Sequence, residues 1–364
     1  MPTRDERLDL IRALESVRDG RKVITFLNST RPNLESQMAM DAIPVVHEHL
    51  RTITSPKAET RIDLFLHSNG GEGTVPWRLV TLIREYCSEF NVLVPHNAFS
   101  AATLTALGAD KVVMHPMGML GPTDPTATHP FNPPDPNNPG QVLGISVEDV
   151  ASYIDLVKED VGIQHEDELV QAFNVLARKV HPLALGNVKR ATSQSRMMGE
   201  KLLSLRPGED FGSHDVAEII QKLTSQLYFH GHPINRTEAR EDVRLSFVVD
   251  ATPEEEKAMW ALYSAYRDEM QMRQPFDLVH ELAARDSLPA VPPLSPQTGN
   301  PPTIDTVELG EYHLAYIEST ERSDVSKAEL EVTAQRDVLG KLQFTLISTR
   351  SGWEEETYDA ATSE

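Results

Sequence analysis

The run VLVPHNAFSAATLTALGAD, residues 92–110, decides the fold. Val92 to Val94 have the branched, apolar types of a buried strand, and Pro95 ends the extended run. Ser100 then opens a short helix, 100–108, made almost entirely of small and apolar residues. A serine in that position stands at the carboxyl end of a strand and in the positive field of a helix N-terminus. It serves there either as an ordinary N-cap or as an exposed, reactive hydroxyl.

Working outward, the same strand-then-helix rhythm recurs. Lys22–Asn28 (KVITFLN) and Arg61–His67 (RIDLFLH) are short apolar runs, followed by helical spacing over 37–50 and 74–90 respectively. Segment 91–95 is the third strand and Lys111–Met114 (KVVM) the fourth. Strands alternating with helices imply an α/β fold with a mainly parallel sheet and right-handed crossovers. From 146 to 198 the chain reads as helical, with Pro182 and Gly186 breaking or kinking it. Segments 215–228 and 252–272 are further helices, the latter opening on TPEEE, which suits a capped, acidic first turn. Two proline-rich stretches, 122–139 and 289–302, punctuate the chain. The second predicts a linker over 288–302, dividing a domain at 1–287 with a helical extension from a small β-rich C-terminal module at 303–364, with strands at 306–318, 327–334 and 342–349.

The 364 residues include 34 Lys+Arg and 55 Asp+Glu, a formal net charge of −21, and no basic patch stands out, which argues against nucleic acid or an anionic membrane surface as partner. One cysteine, Cys87, excludes an intrachain disulfide and a cysteine-cluster metal site. The charged start MPTRDERLDL does not read as a signal peptide, and no stretch approaches the roughly 18 apolar residues of a membrane helix. A cytoplasmic protein without a membrane span, metal or organic cofactor is the expectation.

A second motif stands at the end of the Arg61–His67 strand: LHSNGG, residues 66–71. Two glycines after a buried strand let the backbone turn sharply and leave N–H groups unpaired. Gly70 and Gly71 form either a plain βα turn or part of an oxyanion hole. Asn69 is a turn residue or a hydrogen-bonding partner of that loop.

Taken together, IDLFLHSNGG, VLVPHNAFSAATLTALGADKVVM and MLGPTDP resemble the serine dehydrogenase proteinase branch of the SppA- and ClpP-like serine peptidases, within the Clp/crotonase superfamily. Looser similarity continues through LARK and HGHPI, so the resemblance spans roughly residues 20 to 250. It implies a ClpP/crotonase-like ββα superhelix, with Ser100 as nucleophile and the N–H groups of Gly71 and Ala101 holding the oxyanion, while Gly70 shapes the turn. It also implies a homo-oligomer acting on peptides or unfolded protein.

The general base is less determined. Clp-type peptidases place a histidine where this chain reads GPTDP, 121–125, and His129 lies just beyond in a proline-rich loop. SppA-like peptidases use a lysine kept neutral by burial. Of Lys111, Lys158, Lys179 and Lys189, the resemblance favours Lys179, in VLARKVH, with Lys189 second; either is otherwise a solvated helix lysine. His230 is a third candidate. His67 and His96 either hydrogen-bond the site loops or tie off carbonyls. His230 and His232 could join a carboxylate around a metal, on a weak HxH signal. Asp124 pins a loop, Trp77 and Trp260 are core or contact residues, and Phe99 is a pocket wall or core plug. Two rivals remain: crotonase-like acyl-CoA chemistry, and a scaffold that kept the fold and lost the base.

Overall fold

In the strand Lys22–Asn28 (β1), every residue after Lys22 is buried. Burial of both odd and even positions means that both faces of the strand are covered, as in the middle of a layered α/β sheet. The computed structural model describes residues 3–135, 141–206, 213–226, 231–284, 305–336 and 342–356. Its main sheet adds Arg61–His67 (β2), Glu89–Val94 (β3), Lys111–Met114 (β4), Val248–Asp250 (β5), Asp305–Glu318 (β6), Ser323–Arg336 (β7) and Leu342–Glu355 (β8). The spatial order is β5-β4-β3-β2-β1-β6-β7-β8. β1 to β5 run parallel, with Ile24 opposite Leu64, Leu64 opposite Val92 and Val92 opposite Val112.

Helices cover both faces. Arg4–Val17 (α1) lies on one side, while Ala42–Arg51 (α2), Val75–Tyr86 (α3) and Ala101–Leu107 (α4) lie on the other. Next come Val147–Asp155 (α5), Glu166–Lys179 (α6), Pro182–Leu203 (α7), Ser213–Gln221 (α8), Arg236–Glu241 (α9), Pro253–Glu269 (α10) and Leu278–Ala284 (α11). Ile24, Phe26, Leu64, Leu66, Val92 and Val94 pack with α2, α3, α4 and α7. Val23, Leu27, Phe65, Leu93 and Val113 pack with α1 and α10. Successive strand residues therefore feed opposite cores.

The proline at 182 does separate two helices: α6 ends at Lys179, and Pro182 takes the first turn of α7, where its missing N–H is harmless. Gly186 breaks nothing and lies inside α7, a cost of about 1 kcal/mol that a 22-residue helix absorbs. The capping box expected at 252 is present, with Thr252 and Glu255 bonding each other's backbone N–H groups. α1 was not among the expected elements, although Thr3 and Glu6 form a second capping box and Leu8, Ile11 and Leu14 line one face.

The strands β6, β7 and β8, which fall in the expected C-terminal module, continue the main sheet. β6 runs antiparallel along the edge of β1, Thr25 opposite Glu318 and Asn28 opposite Ala315, and β7 and β8 continue the same sheet. Tyr316 and Val325 enter the core shared with α1 and α10, and Ile317 the core on the other face. Buried Arg7 of α1 forms an ion pair with Glu318 at 2.9 Å and with Glu356 at 3.0 Å. The edge of β1 is a row of open hydrogen-bonding groups, and a strand almost 300 positions away in sequence fills it. The expected linker, 288–302, lies outside the described residues.

Candidate active site

β2 ends at His67, and the chain turns through Ser68, Asn69, Gly70 and Gly71 into α3. β3 ends at Val94, and the chain passes through 95–100 into α4. The two turns are stitched together. Ser68 N–H donates to Asn97 O at 2.9 Å, Phe99 N–H to Ser68 O at 3.0 Å, and the Asn97 amide to Asn69 Oδ1 at 3.1 Å. Ser68 Oγ accepts the Gly70 N–H at 3.0 Å. Met38 reaches in from a third segment, its N–H donating to Gly70 O at 2.8 Å and its carbonyl accepting from Glu72 N–H at 2.9 Å.

Glycine is required at both positions for steric reasons. At Gly70, φ is +107°, and a Cβ there would meet Ser100 Cβ at 2.7 Å and Phe99 O at 2.9 Å. At Gly71, a Cβ would lie 2.1 Å from the Met38 carbonyl oxygen. The Gly-Gly turn therefore lies directly against the turn bearing Ser100.

Ser100 itself has φ +51° and ψ −113°, a conformation that costs a non-glycine residue about 1–3 kcal/mol. It does not act as a side-chain cap for α4, and among the described residues its hydroxyl makes no hydrogen bond. The ordinary capping role is thus absent. The backbone N–H groups of Gly71 and Ala101 likewise donate to nothing among the described residues. All three residues line one cavity of about 720 Å³, together with Ser36, Gln37, Thr123, Thr126, Ala191, Gln194 and Ser195. A hydroxyl placed by strain, beside free backbone donors in a cavity, has the parts needed for attack on a carbonyl.

Several supporting residues were not picked out from sequence. Thr103 of α4 donates to Ala98 O at 2.7 Å and accepts from Gly121 N–H at 3.0 Å, clamping the loop after β4 onto the serine turn. Ser195 of α7 donates to Thr123 O at 2.6 Å and holds the far wall. A small hydroxyl residue in an apolar helix was the available signal. Phe99 is half-buried and packs against Gly121.

The expected bases are elsewhere. Lys179 is exposed at the end of α6, a helix with no buried residue, and does not line the cavity. Lys189 is also exposed, since Val188, Ala191 and Ser195 occupy the inward face of α7 and the next residue round points about 100° away. Lys111 and Lys158 face solvent too. Among the described residues, no lysine or histidine lines the cavity. His230 lies outside the described residues, and His232 pairs with Glu238 at 2.6 Å.

His67 and His96 lie beneath the turns rather than in the cavity. His67 Nδ1 accepts the Asn97 N–H at 3.2 Å, and burial drives its pKa down to about 3, so the ring stays neutral. Burial lowers His96 also, and its ring stacks on Tyr263 at 5.2 Å. Trp260 is half-buried and stacks on His115, while Trp77 borders the core under Lys201. Asp124 is buried in the loop after β4. Among the described residues, no group of three or more His, Cys, Asp or Glu side chains could hold a metal ion, and no helix is long and apolar enough to cross a membrane.

Residues 3–133 match the family described as ClpP-like SDH-type serine proteinase, the resemblance that the sequence motifs suggested. The chain is also 26% identical over 275 residues to the uncharacterized protein MJ0137 of Methanocaldococcus jannaschii, covering 73% of this chain and 80% of that one. It is 23% identical over 244 residues to the uncharacterized protein MJ1495 of the same organism, covering 65% and 70% respectively.

Proposed function

We propose that this chain is a cytoplasmic serine peptidase of the SppA/ClpP-like kind, working as a homo-oligomer on peptides or unfolded protein. Ser100 Oγ attacks the peptide carbonyl carbon. The carbonyl oxygen takes the negative charge and is held by the N–H groups of Gly71 and Ala101, each donor being worth about 3–4 kcal/mol in the transition state. The tetrahedral intermediate expels the amine, and water then hydrolyses the acyl-serine. The observation that carries the reading is the strained Ser100 with its hydroxyl unengaged beside those free donors.

The proton acceptor in this reading is a lysine, Lys179 before Lys189. Both are exposed, Lys189 on α7, which walls the cavity, and Lys179 on α6, which does not line it, so in this reading the lysine reaches Ser100 only in the assembled oligomer. Acyl-CoA chemistry is disfavoured by the cavity lining, which holds Glu35 and Glu72 and, among the described residues, no Lys or Arg for a nucleotide phosphate. That no lysine or histidine lines the cavity among the described residues favours a second reading, a non-catalytic scaffold.

A fluorophosphonate probe with mass-spectrometric mapping separates the two. Labelling at Ser100 that disappears in Ser100→Ala and in Lys179→Ala supports the peptidase with Lys179 as base. Labelling lost only with Ser100→Ala moves the base to Lys189 or His230. No labelling of the assembled protein would favour the scaffold.

A further inference from the structure

The walls of the Ser100 cavity differ in charge. The wall bearing Gly71 is built from two stretches joined through Met38: Glu35, Ser36 and Gln37 on one, Gly71, Glu72 and Gly73 on the other. It carries two carboxylates. The opposite wall presents Thr123, Pro125, Thr126 and Thr128 from the loop after β4, and Ala191, Gln194 and Ser195 from α7, none of them charged. Glu35 and Glu72 are both exposed, and neither has an ion-pair partner among the described residues. A bound chain would therefore meet two unneutralised negative charges beside the proposed oxyanion donor and, among the described residues that line the cavity, no compensating cation. The net charge of −21 strengthens the same field at longer range.

We infer that this cavity selects peptides with a positive charge next to the bond to be cut, the charge lying along the Glu35–Glu72 wall, and that it rejects acidic ones. The inference rests on the peptidase reading above and adds its substrate class. The charge comes from a Lys or Arg side chain or from a free amino terminus, since both present ammonium-like donors to a carboxylate. A carboxylate about 6 Å from such a charge in water-like surroundings changes binding about three-fold, and two change it about ten-fold. Because both glutamates are exposed, the selectivity is an effect of low ionic strength, and salt screens it within about 8–10 Å.

The test uses internally quenched peptides, acetylated and amidated, identical except for Lys, Gln or Glu stepped through the positions around a central alanine run. A parallel set with a free amino terminus separates the two sources of charge. The full-length protein is assayed at low and at high salt, as wild type and as Glu35→Gln/Glu72→Gln, with fluorophosphonate labelling of wild-type Ser100 alongside. The inference expects kcat/KM to fall about ten-fold from Lys to Gln at one position, and further to Glu. Salt should compress that ratio, and the double variant should bring it within about two-fold. If wild-type Ser100 labels and peptides are cut with a Lys/Gln ratio near one, the selectivity is refuted and the peptidase reading stands. A Lys preference that survives the double variant refutes the assignment to this wall. Absence of both labelling and cleavage overturns the two readings together.

Discussion

Replacing Gly71 by alanine tests the proposed oxyanion hole directly. The added Cβ would lie 2.1 Å from the Met38 carbonyl oxygen and 2.6 Å from the Met38 nitrogen. Both are backbone atoms, and Met38 cannot retreat easily. Its side chain is fully buried, its N–H is bonded to Gly70 O at 2.8 Å, and its carbonyl accepts from Glu72 N–H at 2.9 Å. Relief to ordinary contact therefore moves the Gly71 peptide by about 1 Å, and a misplacement of that size at a reacting centre costs about 100-fold in rate. Full loss of one oxyanion donor costs about 10²–10³-fold. The donor acts on charge that develops only in the transition state, so kcat should fall by that factor while KM changes little. The assays are steady-state hydrolysis of a quenched peptide, the fluorophosphonate labelling rate, and a urea melt to establish that the variant is folded. Gly70→Ala, whose Cβ would press on Ser100 Cβ at 2.7 Å, should lower the labelling rate by a similar factor through the nucleophile. A folded Gly71→Ala protein that labels and cleaves within two-fold of wild type would refute the assignment of that N–H.

Other perturbations follow from the same geometry. Ser100→Gly should abolish labelling yet raise stability by about 1–2 kcal/mol in a denaturant melt, because glycine accepts φ +51° without strain; a destabilised variant would contradict the strain argument. Fully buried Asp63 accepts from Arg18 Nε at 2.6 Å, Arg21 Nε at 2.5 Å and Asn91 Nδ2 at 3.2 Å, so Asp63→Asn should cost about 3–5 kcal/mol in the same melt. His313 lies between Glu269 and Glu311, each at 3.2 Å; Glu269, by its hydrogen bond, holds the histidine pKa above 6.5, and both glutamates are held below 4.5. The histidine's contribution is complete below pH 6.5 and fades as pH rises through its raised value. The glutamates' contribution is present above pH 4.5 and fades as pH falls. The stability gap between wild type and His313→Gln should therefore be widest between about pH 4.5 and 6.5, and a gap that grows towards pH 8 would contradict it.

Much of the core was legible because it is written in local pattern. KVITFLN, RIDLFLH and the 92–94 run are apolar at consecutive positions, which only a strand covered on both faces requires, and they proved to be adjacent parallel strands. Thr252 with Glu255, and Pro182 at a helix start, are signals confined to one turn of chain. Ser100 and the Gly-Gly turn could be singled out by type and by position at strand ends. Whether Ser100 capped its helix or stood free was not legible, since the answer is a backbone angle, φ +51°, imposed by the clamp between Ser68, Phe99 and Thr103.

Local pattern by itself determined the alternation of strands and helices, the helix boundaries set by caps and proline, and the two turns that carry the candidate chemistry. Only the tertiary structure decided which distant pieces complete them. Met38 supplies the contact that makes Gly71 obligatory, α7 supplies the far wall of the cavity, and β6 closes the open edge of β1. The lysines at 179 and 189 are indistinguishable in sequence from buried ones, and their exposure follows from which face of α6 or α7 finds a neighbour. The physical reason is the range of the forces. Propensity and capping act within a few residues, whereas burial and edge pairing depend on segments brought together from across the whole chain.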